Sequence, residues 1–368
     1  MMEQVNWRNV VKLSGAYIAY LIGSGFATGQ EVLQFFASYG MNGLYGALIS
    51  AVLFCSIGVI VMRKGHELQL ARPSLIFRHY CGNYLGRAIE YFTLLFIFSI
   101  VVIMIAGSGA IAEEYFGVPS AVGWFGMGVV AMITVLAGLR RLVDIIGAIG
   151  PFIVVFTVAV GMYTFFHDFS WTTAPVATTT AALAAQPVAH WWQAGTLFFC
   201  YNMLAGMVFF TELGAQASSR KEAGIAGFCG GFFLMLTVVG MLCGMLANFD
   251  AVIGLQVPNL YLGAKISPLV ALVFSVIIML GIYSTTAPMY WLIKNECLKV
   301  VPQRWEIALT VALGAVFMLG GSFPFGKLVS LIYPFVGYVG FALVLVVFAR
   351  TLFKNSSDDA QGDVQTVD

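Results

Sequence analysis

Long apolar runs, separated by short polar stretches, follow one another along almost the whole chain. A helix needs about 20 mainly apolar residues to cross a bilayer. Ten such runs can be drawn, at roughly 9–38, 43–62, 88–112, 120–139, 143–166, 191–216, 225–247, 269–293, 305–321 and 325–349. The pattern predicts an all-α integral membrane protein. The first, sixth and eighth runs are interrupted or longer than a straight crossing needs, which predicts tilt or breaks.

The polar stretches organise these spans. Residues 63–87 form the longest basic connection, with room for a short interfacial helix. Residues 167–190 (HDFSWTTAPVATTTAALAAQPVAH) and 248–268 form longer connections on the opposite side. The 167–190 stretch divides the chain into a first five-span unit, 1–166, and a second, 191–352. Residues 353–368 are polar and acidic, as expected of a disordered cytoplasmic tail. Because five is odd, the second unit enters the membrane from the side opposite to the first. Two such units can be related by a two-fold axis in the membrane plane, the plan of inverted-repeat transporters.

Charge orients the spans. With the N-terminus in the cytoplasm, every basic residue except Lys265 and Lys327 falls in a cytoplasmic segment, among them Arg63, Lys64, Arg140, Arg141, Arg220, Lys294 and Arg350. Positive charge is retained on that side, so both termini are expected to be cytoplasmic, in a bacterial inner membrane. The first apolar run has no small-residue cleavage site behind it and reads as a retained helix. The composition agrees: 60% of residues are hydrophobic and 10% charged, whereas soluble domains carry about a quarter charged residues. A net charge of +1 offers nothing to nucleic acid. Cys55, Cys81, Cys200, Cys229, Cys243 and Cys297 form no CxxC pair and read as small apolar residues.

The candidate chemistry lies where the two units begin. Span one contains Gly23-Ser24-Gly25-Phe26-Ala27-Thr28-Gly29-Gln30-Glu31. Its three glycines each weaken a helix by about 1 kcal/mol against alanine, and Glu31 is costly in hydrocarbon. Span six contains Phe199-Cys200-Tyr201-Asn202-Met203-Leu204-Ala205-Gly206, with Glu212 following. Corresponding interruptions in two halves point to a transporter's binding site. Unwound backbone persists in a membrane only where it lines a cavity or binds something. Its freed N–H groups suit a carboxylate and its freed carbonyls suit a cation. Plainer readings stand beside these. The glycines can serve close helix packing, and Asn202 can bond a neighbouring helix. Thr28-Gly-Gln-Glu31 fits a capping box, in which Thr28 caps the outer half of span one and Glu31 reaches back to it. Glu31 and Glu212 are the alternative candidates for carrying a coupling proton or for gating.

Span eight carries Ser284-Thr285-Thr286 shortly before Pro288. The proline removes an N–H and leaves a carbonyl near Ser284 unpaired. Hydroxyls beside a free carbonyl suit a hard cation, while self-bonded hydroxyls at a simple kink are the plainer reading. No HExxH or G-x-S-x-G motif is present and the four histidines lie in loops or at span ends, which argues against an enzyme. No filter repeat or ring of charge favours a channel. A sensor built on a transporter fold is a further alternative.

At these residues the chain resembles the amino acid–polyamine–cation superfamily, with the bacterial leucine-transporter fold, and in detail the YkvI family of bacterial membrane proteins. The stretch Gly23–Glu31 followed by Phe35-Phe-Ala-Ser-Tyr-Gly40 carries the likeness, with Phe198-Phe199-Cys200-Tyr201-Asn202 and Gly206 in span six. The resemblance implies ten helices as a 5+5 inverted repeat with helices one and six broken. It implies a substrate site at Gly23, Ser24, Gly25 and Phe26, with Phe199, Cys200, Asn202 and Ala205 lining the side-chain pocket. It also implies a sodium site made of the carbonyls of Ala19 and Ile22 with Thr285 and Thr286, or with Ser284 and Thr285 if the register slips by one. Phe26 stands where the related neurotransmitter symporters have an asparagine, which speaks against a second sodium site. The expected function is sodium-coupled symport of a small zwitterion such as an amino acid, by alternating access. A proton-coupled carrier using Glu31 or Glu212 is the alternative. The expected partners are that solute and the lipid bilayer, without nucleic acid or an organic cofactor; the residues indicate no oligomeric state.

Overall fold

A computed structural model describes residues 5–21, 24–70, 72–138, 143–168 and 179–353. The expected tail and part of the 167–190 connection lie outside these residues. Among those described, fifteen α-helices account for the fold: α1 Trp7–Leu21, α2 Ser24–Thr28, α3 Gln30–Phe35, α4 Asn42–Leu68, α5 Leu75–Glu114, α6 Ser120–Ala137, α7 Val143–Asp168, α8 Thr180–Ala185, α9 Trp191–Ala215, α10 Arg220–Ala247, α11 Phe249–Val252, α12 Pro258–Ile266, α13 Pro268–Cys297, α14 Glu306–Gly321 and α15 Phe325–Phe353. Eight of the helices are long and apolar enough to cross a membrane. With the segmented span one (α1 to α3) and with α7 as span five, the chain has its ten spans.

The packing repeats under exchange of the two halves. Helices α1, α4, α9 and α10, which are spans one, two, six and seven, form one group. Helices α5, α6, α13 and α14, which are spans three, four, eight and nine, form a second. The fifth span, α7, packs chiefly on α10 of the first group, a contact without a counterpart in the other half, and also on α13 of the second and on α1. The tenth, α15, packs on α9 and α5, the partners that exchanging the halves would assign to it. This is the internal symmetry of an inverted repeat.

Span one is broken, as its glycines predict. Helix α1 stops at Leu21, α2 resumes at Ser24, and a second interruption falls at Gly29, whose φ of 85° and ψ of −4° place it in the left-handed region that favours glycine. A Cβ there would also strike the side chains of Met245 and Asn259. The polar groups around the break find partners. The Thr28 hydroxyl donates to the Gly25 carbonyl at 2.9 Å, and the Asn259 amide donates to the Ala27 carbonyl at 2.9 Å. Asn259 belongs to α12, so the 248–268 connection does more than join two spans: it sends a short, largely buried helix to the interruption. The capping box does not form. Gly29, not Thr28, is the N-cap of α3, and its cap receives no side-chain bond. Thr28 has turned its hydroxyl to Gly25, and Glu31 bonds elsewhere.

Span six departs from expectation. Helix α9 runs unbroken from Trp191 to Ala215. No proline or glycine interrupts residues 196–205, and the Asn202 side chain donates to the Phe198 carbonyl at 2.8 Å, one turn back along its own helix. Asn202 therefore satisfies its amide within an intact helix and marks no break.

Small residues set the distance between α4 and its neighbours. A Cβ on Gly195 would meet the Gly46 backbone, one on Gly214 the Met62 carbonyl, and one on Gly227 or Gly231 the backbone of α4 near Gly58 or Phe54. The Ser50 hydroxyl crosses this seam to the Gly195 carbonyl at 2.6 Å, and Ser14 makes the corresponding bond from α1 to the Ala226 carbonyl of α10 at 3.1 Å. At one face, Glu114 accepts from the N–H groups of Gln256 and Val257 at 2.6 and 2.8 Å. At the opposite face, Glu222 accepts from the N–H of Asn6 at 3.0 Å and from the Asn9 amide at 2.6 Å, and Arg220 pairs with Glu67 at 2.6 Å. Gly214→Ala is expected to destabilise the protein by about 1–3 kcal/mol through overpacking. Gly126→Ala, where a Cβ meets nothing within 4 Å, should be neutral or stabilising by up to ~1 kcal/mol. Thermal unfolding of the two variants in detergent checks the contrast, and equal shifts would contradict the packing described here.

Candidate functional site

The interruption of span one creates an unusual position for a carboxylate. Glu31 lies in the first turn of α3 and is 7% exposed. One oxygen lies against Gly25, so closely that a Cβ on Gly25 would collide with it. Gly25 is thus a close-approach glycine, and the two halves of the broken span meet through it. The other oxygen, Oε2, accepts a hydrogen bond from the Tyr201 hydroxyl of α9 at 2.5 Å. Tyr333 of α15 lines the same cavity as the carboxylate. The two tyrosine rings stack with centroids 4.5 Å apart, and Phe96 of α5 sets its edge toward both.

Beside this carboxylate is a small cavity with about 50 Å³ of space for water-sized molecules. Span one lines it with Tyr20, Leu21 and Glu31, span three with Phe96, Ile100 and Met104, and span six with Tyr201, Asn202 and Ala205. Thr285 and Met289 of span eight and Tyr333 of span ten close it. The Tyr20 ring stacks on Phe209 at 4.3 Å and its hydroxyl donates to the Ala205 carbonyl at 2.9 Å, which ties α1 to α9 across the cavity. The lining contains one carboxylate, three tyrosines and no lysine, arginine or histidine. Its chemistry is that of a cation site: an acidic oxygen, oriented hydroxyls and aromatic faces.

The sequence-derived candidates divide around this cavity. Glu31, Asn202, Ala205 and Thr285 line it. Gly25 stands behind Glu31. Phe26 is buried away from the lining. Phe199 faces α4, with its ring edge-on to Phe54 at 4.9 Å, and the Cys200 backbone supports α15 at Gly340, so neither lines the pocket as the resemblance implied. Ser284 and Thr286 also lie outside the lining. The hydroxyls of Ser284 and Thr285 donate to the Gly281 carbonyl at 2.8 and 3.1 Å, and that of Thr286 to the Ile282 carbonyl at 2.7 Å. Ala19 is half-buried within α1. Ile22 and Gly23, with the side chain of Ser24, lie outside the described residues. Glu212 is exposed and ten residues beyond Asn202, roughly 15 Å along the helix at ~1.5 Å per residue, too far to belong to the cavity.

Three site residues escape the sequence reading: Tyr20, Tyr201 and Tyr333. A tyrosine buried in an apolar span needs a partner for its hydroxyl, and that signal was available for each. The stacking of Tyr201 and Tyr333 beside one carboxylate is a tertiary fact.

A wider vestibule of about 280 Å³ is lined by Gln30, Leu33 and Gln34 of α3, by alanines of α8, by Gly254, Leu255 and Gln256, and by the start of α15. The Gln34 amide donates to the Gly326 carbonyl at 2.8 Å. Helix α3 thus turns Gln30, Leu33 and Gln34 to the vestibule and Glu31 to the cavity, and it forms the wall between them.

No family model matches the chain. Over 336 residues it is 21% identical to the Bacillus subtilis (strain 168) protein described as an uncharacterized membrane protein YkvI, an alignment covering 90% of this chain and 93% of that one. Over 351 residues it is 24% identical to the uncharacterized protein YyaD of the same organism, covering 92% and 96%. Among solved structures, the fold is similar to the inward-facing conformation of Mhp1, with a TM-score of 0.63, 14% identity, and coverage of 93% of this chain and 76% of that one. A closed conformation of Mhp1, described as a nucleobase-cation-symport-1 family transporter with bromovinylhydantoin bound, gives a TM-score of 0.55 at 14% identity, covering 93% and 78%. An Eremococcus coleocola manganese transporter mutant gives 0.53 at 11% identity, covering 98% and 91%. The chain therefore has the ten-span, inverted-repeat transporter fold of the bacterial leucine-transporter class, and its sequence is similar to YkvI and YyaD along nearly their whole length.

Proposed function

We propose that this chain is a secondary transporter that carries a small amine-bearing solute, such as an amino acid, across the bacterial cytoplasmic membrane by alternating access, driven by a cation gradient. The observation that carries the reading is Glu31, a buried carboxylate beside the interruption of span one, in a cavity lined by spans of both halves. An acidic group within a membrane is costly and is retained where it binds or relays a charge. Its neighbours supply hydroxyls and ring faces, which favour an ammonium group. About 50 Å³ of water-sized space suits a solute of a few heavy atoms, since a single water needs ~10–15 Å³ by this measure. The vestibule and the cavity sit on opposite sides of α3, as an alternating-access path requires.

The coupling group best supported is Glu31, as a proton carrier. Glu212, exposed and remote from the cavity, has no comparable support. Sodium coupling is the second reading, and specific observations favour it: α2 packs on α13, Thr285 lines the cavity, and Pro288 within α13 leaves the Ser284 carbonyl without its helical donor. Hydroxyls that donate to their own helix keep lone pairs free for a cation. The cytoplasmic location of both termini is supported by the basic residues, because Arg220 and Arg350, with the 63–87 connection, gather at the same face of the protein as the start of α1.

Purified protein in proteoliposomes is expected to accumulate small amino acids or amines when a cation gradient is imposed. Absence of uptake across a broad panel, under both proton and sodium gradients, would overturn the reading. Glu31→Gln is expected to abolish gradient-driven accumulation, and Gly25→Ala to approach that phenotype by displacing the carboxylate. Tyr201→Phe removes a charge-assisted hydrogen bond worth about 1.5–3 kcal/mol, so the solute's half-saturation concentration should rise roughly 10–100-fold. Thr285→Val separates the two coupling ions: loss of sodium dependence favours the second reading, and unchanged uptake under a proton gradient favours Glu31.

A further inference from the structure

We infer that the solute's ammonium group and the coupling proton occupy the same carboxylate in turn, so that the protein exchanges a cationic amine for a proton across the membrane and does not carry the two together. The inference rests on the transport reading above and adds the substrate's charge and the sense of coupling.

The geometry leaves one place for positive charge. Among the described residues, Glu31 is the sole acidic side chain lining the cavity. One of its oxygens is enclosed against Gly25, and the other accepts from Tyr201. The titratable groups that face it are Tyr20 from α1, Tyr201 from α9 and Tyr333 from α15, while α5 and α13 present apolar side chains and Thr285. None of these can take up a second positive charge, because a tyrosine ionises only to an anion. With about 50 Å³ of water-sized space, the cavity cannot separate a protonated carboxyl from an ammonium ion by enough solvent to keep them independent. Low dielectric strengthens the competition, since an ammonium held beside a neutral carboxyl would lack a counter-ion.

The charge balance follows. In the resting site the carboxyl holds a proton. When the ammonium binds, the O–H bond breaks, the proton leaves to the aqueous side to which the site is open, and the carboxylate keeps the electron pair and pairs with the ammonium. Release of the amine on the other side is accompanied by uptake of a proton from that side. For a monocationic amine such as ethylammonium each half-cycle carries one positive charge, so a one-for-one exchange moves no net charge; a zwitterion exchanged for a proton would move one. Tyr201 and Tyr333 can serve both states, because a hydroxyl donates to a carboxylate oxygen or to the carbonyl oxygen of a protonated carboxyl. The aromatic faces favour the cationic nitrogen over a neutral isostere.

The test uses the purified full chain in weakly buffered detergent solution with a pH indicator, and ethylammonium and alanine as probes. Binding of either probe should release close to one proton per molecule bound below the pH at which the site loses its proton. In that range its affinity should fall about tenfold for each unit of pH decrease. 1-Propanol, similar to ethylammonium in size but uncharged, should neither bind nor release protons. In proteoliposomes, an outward-directed proton gradient should drive ethylammonium uptake, and uptake should be insensitive to an imposed membrane potential. Binding without proton release, tighter binding at lower pH, or potential-driven uptake would overturn the exchange while leaving the transport reading in place. Failure of both probes to bind at mildly alkaline pH would overturn the assignment of substrate charge. The wild-type measurements decide these outcomes without any variant. Glu31→Gln, if it folds, should bind neither probe and release no proton.

Discussion

The structure depends on how the backbone of span one is satisfied where it stops being helical. In a bilayer an unpaired N–H or carbonyl has no water to turn to, so a break survives only where the protein completes it. Here the completion is local and specific. Gly29 takes a backbone conformation that other residues resist, Thr28 turns its hydroxyl to the Gly25 carbonyl, and Asn259 comes from a distant connection to hold the Ala27 carbonyl. The cavity follows from this arrangement. Without the turn at Gly29, α3 would continue the line of the preceding helix, and Glu31 would not be folded back against Gly25 and beneath Tyr201.

The two halves of the molecule contribute differently to that cavity. The first half supplies the irregular backbone and the charge. The second supplies regular helices, α9, α13 and α15, whose side chains frame the charge. The inverted repeat is therefore symmetric in its packing and asymmetric in its chemistry. One broken span suffices because the carboxylate, and not a pair of opposed helix ends, provides the polarity at the centre.

Much of the fold was legible in the order of residues. Apolar run length alone located ten spans, since hydrocarbon thickness leaves little freedom in helix length. The interruption of span one was legible because three glycines in seven positions are an intrinsic backbone weakness that tertiary contacts do not repair. Span six misled because Asn202 looks the same in sequence whether it marks an unwound turn or bonds its own helix, and only the fold shows that it donates to Phe198. The capping box at Thr28 failed for a related reason. The motif needs Thr28 and Glu31 to bond each other's backbone, and here Thr28 donates to the Gly25 carbonyl and accepts from the Gln30 N–H at 3.4 Å, while Glu31 is held by Tyr201. The tyrosine pair was hidden because its members are more than a hundred residues apart and meet only when α15 packs on α9.

Helix α3 has a mechanical consequence. It has six residues, starts at Gly29 in the left-handed half of backbone space, and is followed after Phe36 by a single 3-10 turn, Ala37–Tyr39, that ends at Gly40, a second glycine of positive φ. All six of its side chains are buried against neighbouring helices, and any tilt that cleared Gln34 from Gly326 would carry Glu31 with it. The wall of the vestibule and the carboxylate are thus two faces of one short piece of chain, and neither can be repositioned alone.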